Sequence, residues 1–418
     1  MLRRLYTFLL SLALPLIFIR LWLKSRSSPG YGKGWSERLG KCVVPEHRNV
    51  IWFHAVSLGE SVAATPLIER CLQELTSFEF LITNTTATGA EYIQKHFGDR
   101  VYRQYLPYDH SWVVRRFLQK LNPKILIIME TEMWPNLLHE CVKKNISVLL
   151  ANGRMNPKSA GRYLKVPALT EPMFAAIQKV AVQTESDYLQ FVRLGFASEQ
   201  LILCGNLKFD QSFDKDKINV GKQWQLQWQR PVWIAASTHQ GEEDLALEVH
   251  KRLLQSYPNL LLILVPRHPE RFDMVADKVE SHGLVFVRHS QEQIPQPDTQ
   301  VFLGDTLGRL ISYYQASDIC LVGGSLVPVG GHNPLEPAAL GKPVLVGPET
   351  FKCEDICKQL SDAGGLVRVR SDSLFQEVDL LLQSPSRREQ LADAGRQVVD
   401  RSRGAVIRQF DIIQEMLR

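Results

Sequence analysis

Two successive series of strand-length apolar runs, each run followed by a helix-like stretch, restrict this chain to parallel sheets with crossover helices, built twice over. The first series comprises 50–56, 78–83, 125–129, 147–150 and 180–182. The second comprises 232–236, 260–265, 284–287, 319–322 and 343–346. Between them, 205–230 is polar and offers no strand, so it reads as a linker. A length of 418 residues also asks for two domains, because single cores stop growing at about 250–300 residues. The expectation is an α/β protein with Rossmann-like domains at 30–205 and 231–418, a linker at 206–230, and a shared cleft at the carboxyl ends of the strands.

Ahead of these domains, 1–24 reads as a membrane-anchor helix. From Leu5 to Leu23 the only charge is Arg20, and these 19 residues, at about 1.5 Å each, just reach the roughly 30 Å hydrocarbon core. That favours a single-pass helix, while Pro15 and Arg20 also suit a monotopic helix lying in the interface. Trp22–Arg26 has no small-x-small cleavage site, which argues against a removed secretory signal. Arg3 and Arg4 precede the apolar run, and Arg20, Lys24, Arg26, Lys33, Arg38 and Lys41 follow its core, a basic bias that keeps the large body in the cytoplasm. The overall charge of +5 is too slight for a nucleic-acid binder and fits anionic small ligands or membrane lipid. Seven scattered cysteines without a C-x-x-C pair suggest neither a disulfide framework nor a zinc site. No metal and no cofactor are expected.

Chemistry concentrates where strands end. After 319–322 comes GGSLVPVGGHNPLEPA, whose Gly330 and Gly331 permit close backbone approach to a ligand. Asn333-Pro334 resembles a helix N-cap whose N–H groups suit a phosphate. Glu336 would then either accept from ribose hydroxyls or merely stabilise its helix. Ser237, Thr238 and His239, in STHQGEE, form a second phosphate-type loop or an ordinary capping box. Arg267 and His268 end another strand of the same half; Arg267 could clamp a carboxylate or phosphate, or be a surface charge. In the first half, Ser57, Gly59 and Glu60 follow one strand and Thr85 and Thr86 follow another, hydroxyl-rich turns that suit a polyhydroxylated acceptor and serve equally as caps. Glu130 and Glu132 end a third strand, as a base or sugar ligands, or as caps of a helix from Pro135. Glu37, in the glycine-punctuated stretch after the anchor, would meet any lipid-borne hydroxyl at the membrane surface, either as a general base or as a solvated loop residue.

Taken together these blocks resemble the 3-deoxy-D-manno-oct-2-ulosonic acid (Kdo) transferases of lipopolysaccharide assembly, inverting glycosyltransferases of the GT-B fold. The resemblance spans nearly the whole chain. It rests on the anchor, Gly32-Lys33-Gly34, Glu37-Arg38-Leu39-Gly40, HAVSLGES (54–61), TNTTATG (83–89), ETEMWPN (130–136), NGRM (152–155), GNLKFD (205–210), STHQGEE (237–243), VPRHPERF (265–272) and GGHNPLEPA (330–338). It implies transfer of Kdo from CMP-Kdo to the lipid A precursor at the cytoplasmic face of the bacterial inner membrane. The acceptor would occupy the N-terminal half and the nucleotide the C-terminal half. It further implies Glu37 as general base, Glu130 as the cleft carboxylate supporting acceptor or base, Glu336 on the ribose, and helix ends near Asn333 and Ser237 on the phosphate. Two alternatives remain at this level: a GT-B-shaped sugar-nucleotide epimerase, which needs no anchor, and a lipid-binding scaffold, in which Glu37 and Arg267 would be freely replaceable.

Overall fold

A computed structural model describes residues 1–26, 32–45, 48–210 and 213–418. The junction at 30–31, Tyr31 included, and positions 211–212 of the expected linker lie outside the described residues. The chain forms two compact units, Met1–Gln211 with Ser402–Arg418, and Ser212–Arg401.

The first unit is built on a parallel sheet of β1 (Val50–His54), β2 (Glu79–Asn84), β3 (Tyr102–Tyr105), β4 (Ile125–Met129), β5 (Ser147–Gly153), β6 (Lys179–Val182) and β7 (Leu201–Leu203). Their order is β3-β2-β1-β4-β5-β6-β7. Helices relevant to the site are α1 (Leu2–Ser25), α2 (Trp35–Arg38), α3 (Leu58–Glu74), α4 (Ala87–Phe97), α5 (Ser111–Leu121) and α6 (Pro135–Lys143). Both sheet faces are covered, so central strands are apolar throughout. In β1, Val50 and Trp52 pack with Phe117 and Leu138 on one side, and Ile51 and Phe53 pack with Ile127 and Ile413 on the other.

The second unit repeats the plan with β8 (Val232–Thr238), β9 (Leu261–Pro266), β10 (Phe286–Arg288), β11 (Val301–Leu303), β12 (Ile319–Val322), β13 (Val344–Val346) and β14 (Leu366–Arg368), ordered β10-β11-β9-β8-β12-β13-β14. All ten strand-length runs seen in the sequence are strands here. The sequence misses β3, β7, β11 and β14, which are three or four residues long; β3, β7 and β14 are also sheet edges, where one side needs no apolar cover.

Two boundaries need correction. Residues 206–230 are not a free linker. Leu207–Asp210 is a 3₁₀ turn of the first unit, and Lys215–Trp228 is a helix of the second. That helix packs closely on Leu310–Ala316 through Gly221, where a Cβ would lie 2.4 Å from the Ser312 carbonyl oxygen. Nor does the second domain extend to 418. The helix Ala405–Leu417 returns to the first sheet, burying Phe410, Ile412 and Ile413 there, while buried Gln409 accepts from the Asn152 N–H at 3.0 Å. Asp210 holds the returning segment by accepting from the N–H groups of Gly404 and Val406, each at 2.6 Å.

Candidate functional site

In the first unit, Glu37 rides on the single turn α2. Gly34 enters this turn at φ 71°, and a Cβ there would fall 2.2 Å from the Tyr105 ring, so only glycine lets the turn sit this close. The close seat allows the Tyr105 N–H to donate to Glu37 Oε2 at 2.7 Å. Neighbouring Arg38 is buried, donates to the Thr85 carbonyl at 3.0 Å and lies 4.1 Å over the Tyr105 ring. Glu37 is therefore a half-exposed carboxylate held from the backbone.

The two hydroxyl-rich turns are helix caps. Ser57 Oγ accepts from Glu60 N–H at 3.3 Å, and Thr86 Oγ1 accepts from Gly89 N–H at 3.2 Å. Thr85 Oγ1 donates to the Val56 carbonyl at 3.2 Å. Gly59 has room for a side chain, so no close approach explains it. Glu60 is buried and turns back on its own loop, accepting from Val56 N–H at 2.8 Å and Ser57 Oγ at 2.9 Å. Burial, together with the facing carboxylates of Glu130 and Glu132, raises its pKa to about 7. Glu60 thus fastens its own loop, with one bond to each carboxylate oxygen.

Glu130 and Glu132 do not cap α6. The cap is Asp109, whose Oδ2 and Oδ1 accept from Asn136 N–H at 3.0 Å and Leu137 N–H at 2.7 Å. Glu130 adopts φ 57°, a left-handed conformation costly for a non-glycine residue. Its Oε1 lies 3.6 Å from Lys208 Nζ, a partner that GNLKFD contains and sequence reasoning leaves unassigned. Burial and nearby Glu130 raise the pKa of Glu132 above the ordinary carboxylate range.

In the second unit, Ser237, Arg267, Asn333 and Glu336 line one cavity of about 280 Å³, joined by His332 and Thr306, which the sequence does not single out. Ser237 holds φ 55° at the end of β8. The helix after it starts only at Glu242, with Gly241 at its cap position and no side-chain cap, so the expected capping box is absent. Glu242 instead crosses to the glycine-rich loop. Its Oε2 accepts from His239 N–H at 2.9 Å and Gly324 N–H at 2.7 Å, and its Oε1 accepts from Ser325 N–H at 3.1 Å and Leu326 N–H at 2.9 Å. Next to it, fully buried Glu243 holds Arg271 by a bidentate pair at 2.6 and 3.0 Å.

Thr238 is buried, and its carbonyl accepts from Arg267 N–H at 3.0 Å, which joins the two strand ends that carry the site. The His239 ring stacks on His332 with Nε2 atoms 2.9 Å apart and meets the edge of His268 at 5.2 Å between centroids. Burial and neighbouring Arg267 hold the His332 pKa down at about 3, so this imidazole is neutral at physiological pH. Gly330 and Gly331 serve their own loop. A Cβ on Gly330 would lie 2.6 Å from the Phe351 ring, and one on Gly331 would lie 2.9 Å from Cys353 Sγ. Both glycines thus let this loop pack against 350–353.

The helix at Asn333 begins at Leu335 and runs only to Ala339. Asn333 Oδ1 accepts from Leu335 N–H at 3.2 Å, and its Nδ2 donates to Glu336 Oε1 at 3.4 Å. Burial raises the Glu336 pKa to about 7, against the pull of Asn333 and Arg267. The native protein thus binds this proton more tightly than the unfolded chain. The stabilisation is complete below the ordinary value of 4.5 and is lost as pH rises through about 7. Denaturant midpoints at pH 5 and pH 8 should therefore differ less in Glu336→Gln than in the parent. Among the described residues no group of three or more His, Cys, Asp or Glu is placed to hold a metal ion.

Residues 33–211 match the family described as 3-deoxy-D-manno-octulosonic-acid transferase (kdotransferase), and residues 234–398 match glycosyl transferases group 1. The chain is 41% identical over 421 residues to a 3-deoxy-D-manno-octulosonic acid transferase of Haemophilus influenzae, covering 99% of this chain and 98% of that one. It is 33% identical over 437 residues to the protein of that name in Bordetella pertussis, covering 99% of each. Among solved structures it is similar to a glycosyltransferase from Rickettsia africae, with TM-score 0.58 and 13% identity over 89% of this chain and 99% of that one. A UDP-GlcNAc 2-epimerase from Neisseria meningitidis gives the same TM-score at 16% identity, over 88% of this chain and 99% of that one. These distant likenesses bear on fold alone, which is the GT-B type with an N-terminal apolar helix. Full-length identity to the named relatives decides the family: the chain is a glycosyltransferase and belongs to the 3-deoxy-D-manno-octulosonic acid transferases.

Proposed function

We propose that this enzyme moves a Kdo residue from CMP-Kdo to a hydroxyl of the lipid A precursor, lipid IVA, at the cytoplasmic face of the bacterial inner membrane, inverting the anomeric centre and releasing CMP. One observation carries the reading: a chain of this family holds a backbone-fixed, half-exposed carboxylate, Glu37, in one unit and gathers Arg267, Asn333 and Glu336 around one cavity in the other. The Glu37 carboxylate takes the proton of the acceptor hydroxyl. The freed oxygen attacks the anomeric carbon from the face opposite the phosphate. The bond from that carbon to the phosphate oxygen breaks, and its electron pair leaves on CMP. Arg267 pairs with the departing phosphate or the sugar carboxylate, Ser237 and Asn333 approach the phosphate, and Glu336 accepts from the ribose hydroxyls. Glu130, paired with Lys208, and Glu132 line the acceptor side with Ser57, Thr85 and Thr86.

The donor half is tested by titrating CMP calorimetrically. Charge-assisted hydrogen bonds worth about 1.5–3 kcal/mol mean that Glu336→Gln should weaken CMP binding roughly 10- to 100-fold. Because the Glu336 carboxyl ionises near pH 7 and the CMP phosphate itself ionises at about pH 6, the change in affinity from pH 6 to pH 8 should differ between parent and variant by the Glu336 contribution, a rise in the parent beyond that of the variant. Unchanged affinity with lowered stability would remove Glu336 from the ribose and leave it a structural residue.

A further inference from the structure

We infer that α1 is an in-plane membrane anchor, clamped sideways onto the first unit, with its apolar stripe laid into the headgroup region of a bilayer. The inference rests on the membrane placement proposed above and goes further, because a single-pass helix and an in-plane helix of this composition read alike in sequence.

The clamp is polar at one end and aromatic at the other. Arg3 donates to Asn136 Oδ1 at 2.7 Å and to Ser111 Oγ at 3.3 Å. Asn136 Nδ2 donates to Thr7 Oγ1 at 2.9 Å and to the Asp109 carbonyl at 2.6 Å. Ser11 Oγ lies 3.1 Å from His110 Nε2. Asn136, wholly buried, is the hub of this network. Further along, Phe18 packs against Trp35 and Tyr108 with ring centroids 5.3 and 5.5 Å apart. Side chains at 3, 7, 10, 14, 17, 18, 21 and 25 are all partly buried, a helical repeat that keeps one face turned toward the body over the whole length of α1.

The opposite face tells what covers it. Leu5, Leu9, Leu12, Leu16, Ile19 and Leu23 are each 51–68% exposed and recur every three or four residues. Arg4, Arg20 and Lys24 are exposed beside this stripe. A continuous apolar stripe bordered by cations suits an anionic bilayer surface. Trp112, 57% exposed one residue beyond the clamp and covered by Arg116 at 5.6 Å, adds the amphipathic ring favoured at such an interface. From Arg3 to Phe18, fifteen residues or about 22 Å of helix axis, the helix is tied to protein on one side. Crossing the bilayer would require releasing the whole network, so that the Asn136 side chain would lose Arg3 and Thr7 and keep only Ser111 and the Asp109 carbonyl.

The test uses the full chain with an epitope tag before Met1, in sealed membrane vesicles of both orientations treated with protease. The tag and the body should become accessible from the same side. Accessibility from opposite sides would establish a span and overturn the inference. Recovery of the protein in the soluble fraction would overturn the membrane placement itself, a failure distinct from the first. Nitroxide labels at Leu5→Cys, Leu12→Cys and Ile19→Cys in proteoliposomes give a second reading that tolerates the native clamp. All three should sit at the same shallow depth, about 5–10 Å into the boundary. A label at 12 lying near the bilayer centre, about 15 Å deep, with shallow labels at 5 and 19, would contradict the in-plane placement.

Discussion

Glu37→Gln is expected to fold and to bind CMP as the parent does, while transferring sugar about 10²–10⁴-fold more slowly, the loss typical of removing a positioned acid–base group. The substitution is nearly isosteric, and its amide oxygen can still accept from the Tyr105 N–H that holds the carboxylate at 2.7 Å. What disappears is the capacity to take a proton. Nothing in α2 depends on that capacity, because Gly34 and Arg38 fix the turn by close packing, a carbonyl contact and a cation–π contact. Steady-state rates with saturating donor, alongside a CMP titration of the same sample, separate chemistry from binding. A parent-like rate in folded Glu37→Gln would remove the base assignment.

Glu242→Gln should be the most damaging single conservative change in the second unit. Two backbone N–H groups aim at each carboxylate oxygen, and an amide can present an oxygen to only one pair. The other pair would face an NH₂ group and lose its acceptor inside the protein. At about 1–3 kcal/mol for each stranded donor, the expected loss is about 2–6 kcal/mol, a large share of the stability of an ordinary domain. The loops at 237–243 and 323–326 would separate, so CMP affinity should fall as well, although Glu242 is not among the cavity residues. Denaturant unfolding measures the first effect and calorimetry the second. A parent-like midpoint would show that the four contacts contribute little.

What can be read from the sequence follows the range of the interactions involved. Central strands such as β4 and β12 are legible because burial on both faces demands an unbroken apolar run. The grouping of Ser237, Arg267, Asn333 and Glu336 is legible because each lies at or beyond the carboxyl end of a strand of one sheet, and a parallel sheet brings such ends together. Glu242 misleads because three of its four partners lie more than 80 residues away, so an acidic residue soon after Ser237 and Thr238 imitates an ordinary capped helix start. Asp109 as the cap of α6 escapes notice for the same reason, and without it Glu130 and Glu132 look like caps. The return of 405–417 to the first unit leaves only the amphipathic repeat of Phe410, Ile412 and Ile413, which does not say which sheet it serves. Gly330 and Gly331 show a further limit: glycine reports a crowded backbone, and the crowding atoms here are Phe351 and Cys353.

Kdo transfer to a lipid acceptor is tested most directly by mass spectrometry of the products formed when purified full-length protein meets CMP-Kdo and lipid IVA. The expected product is a lipid heavier than the acceptor by one or more whole Kdo residues, with CMP released in equal number. CMP released without any gain in lipid mass, or an unmodified lipid beside intact CMP-Kdo, would contradict it.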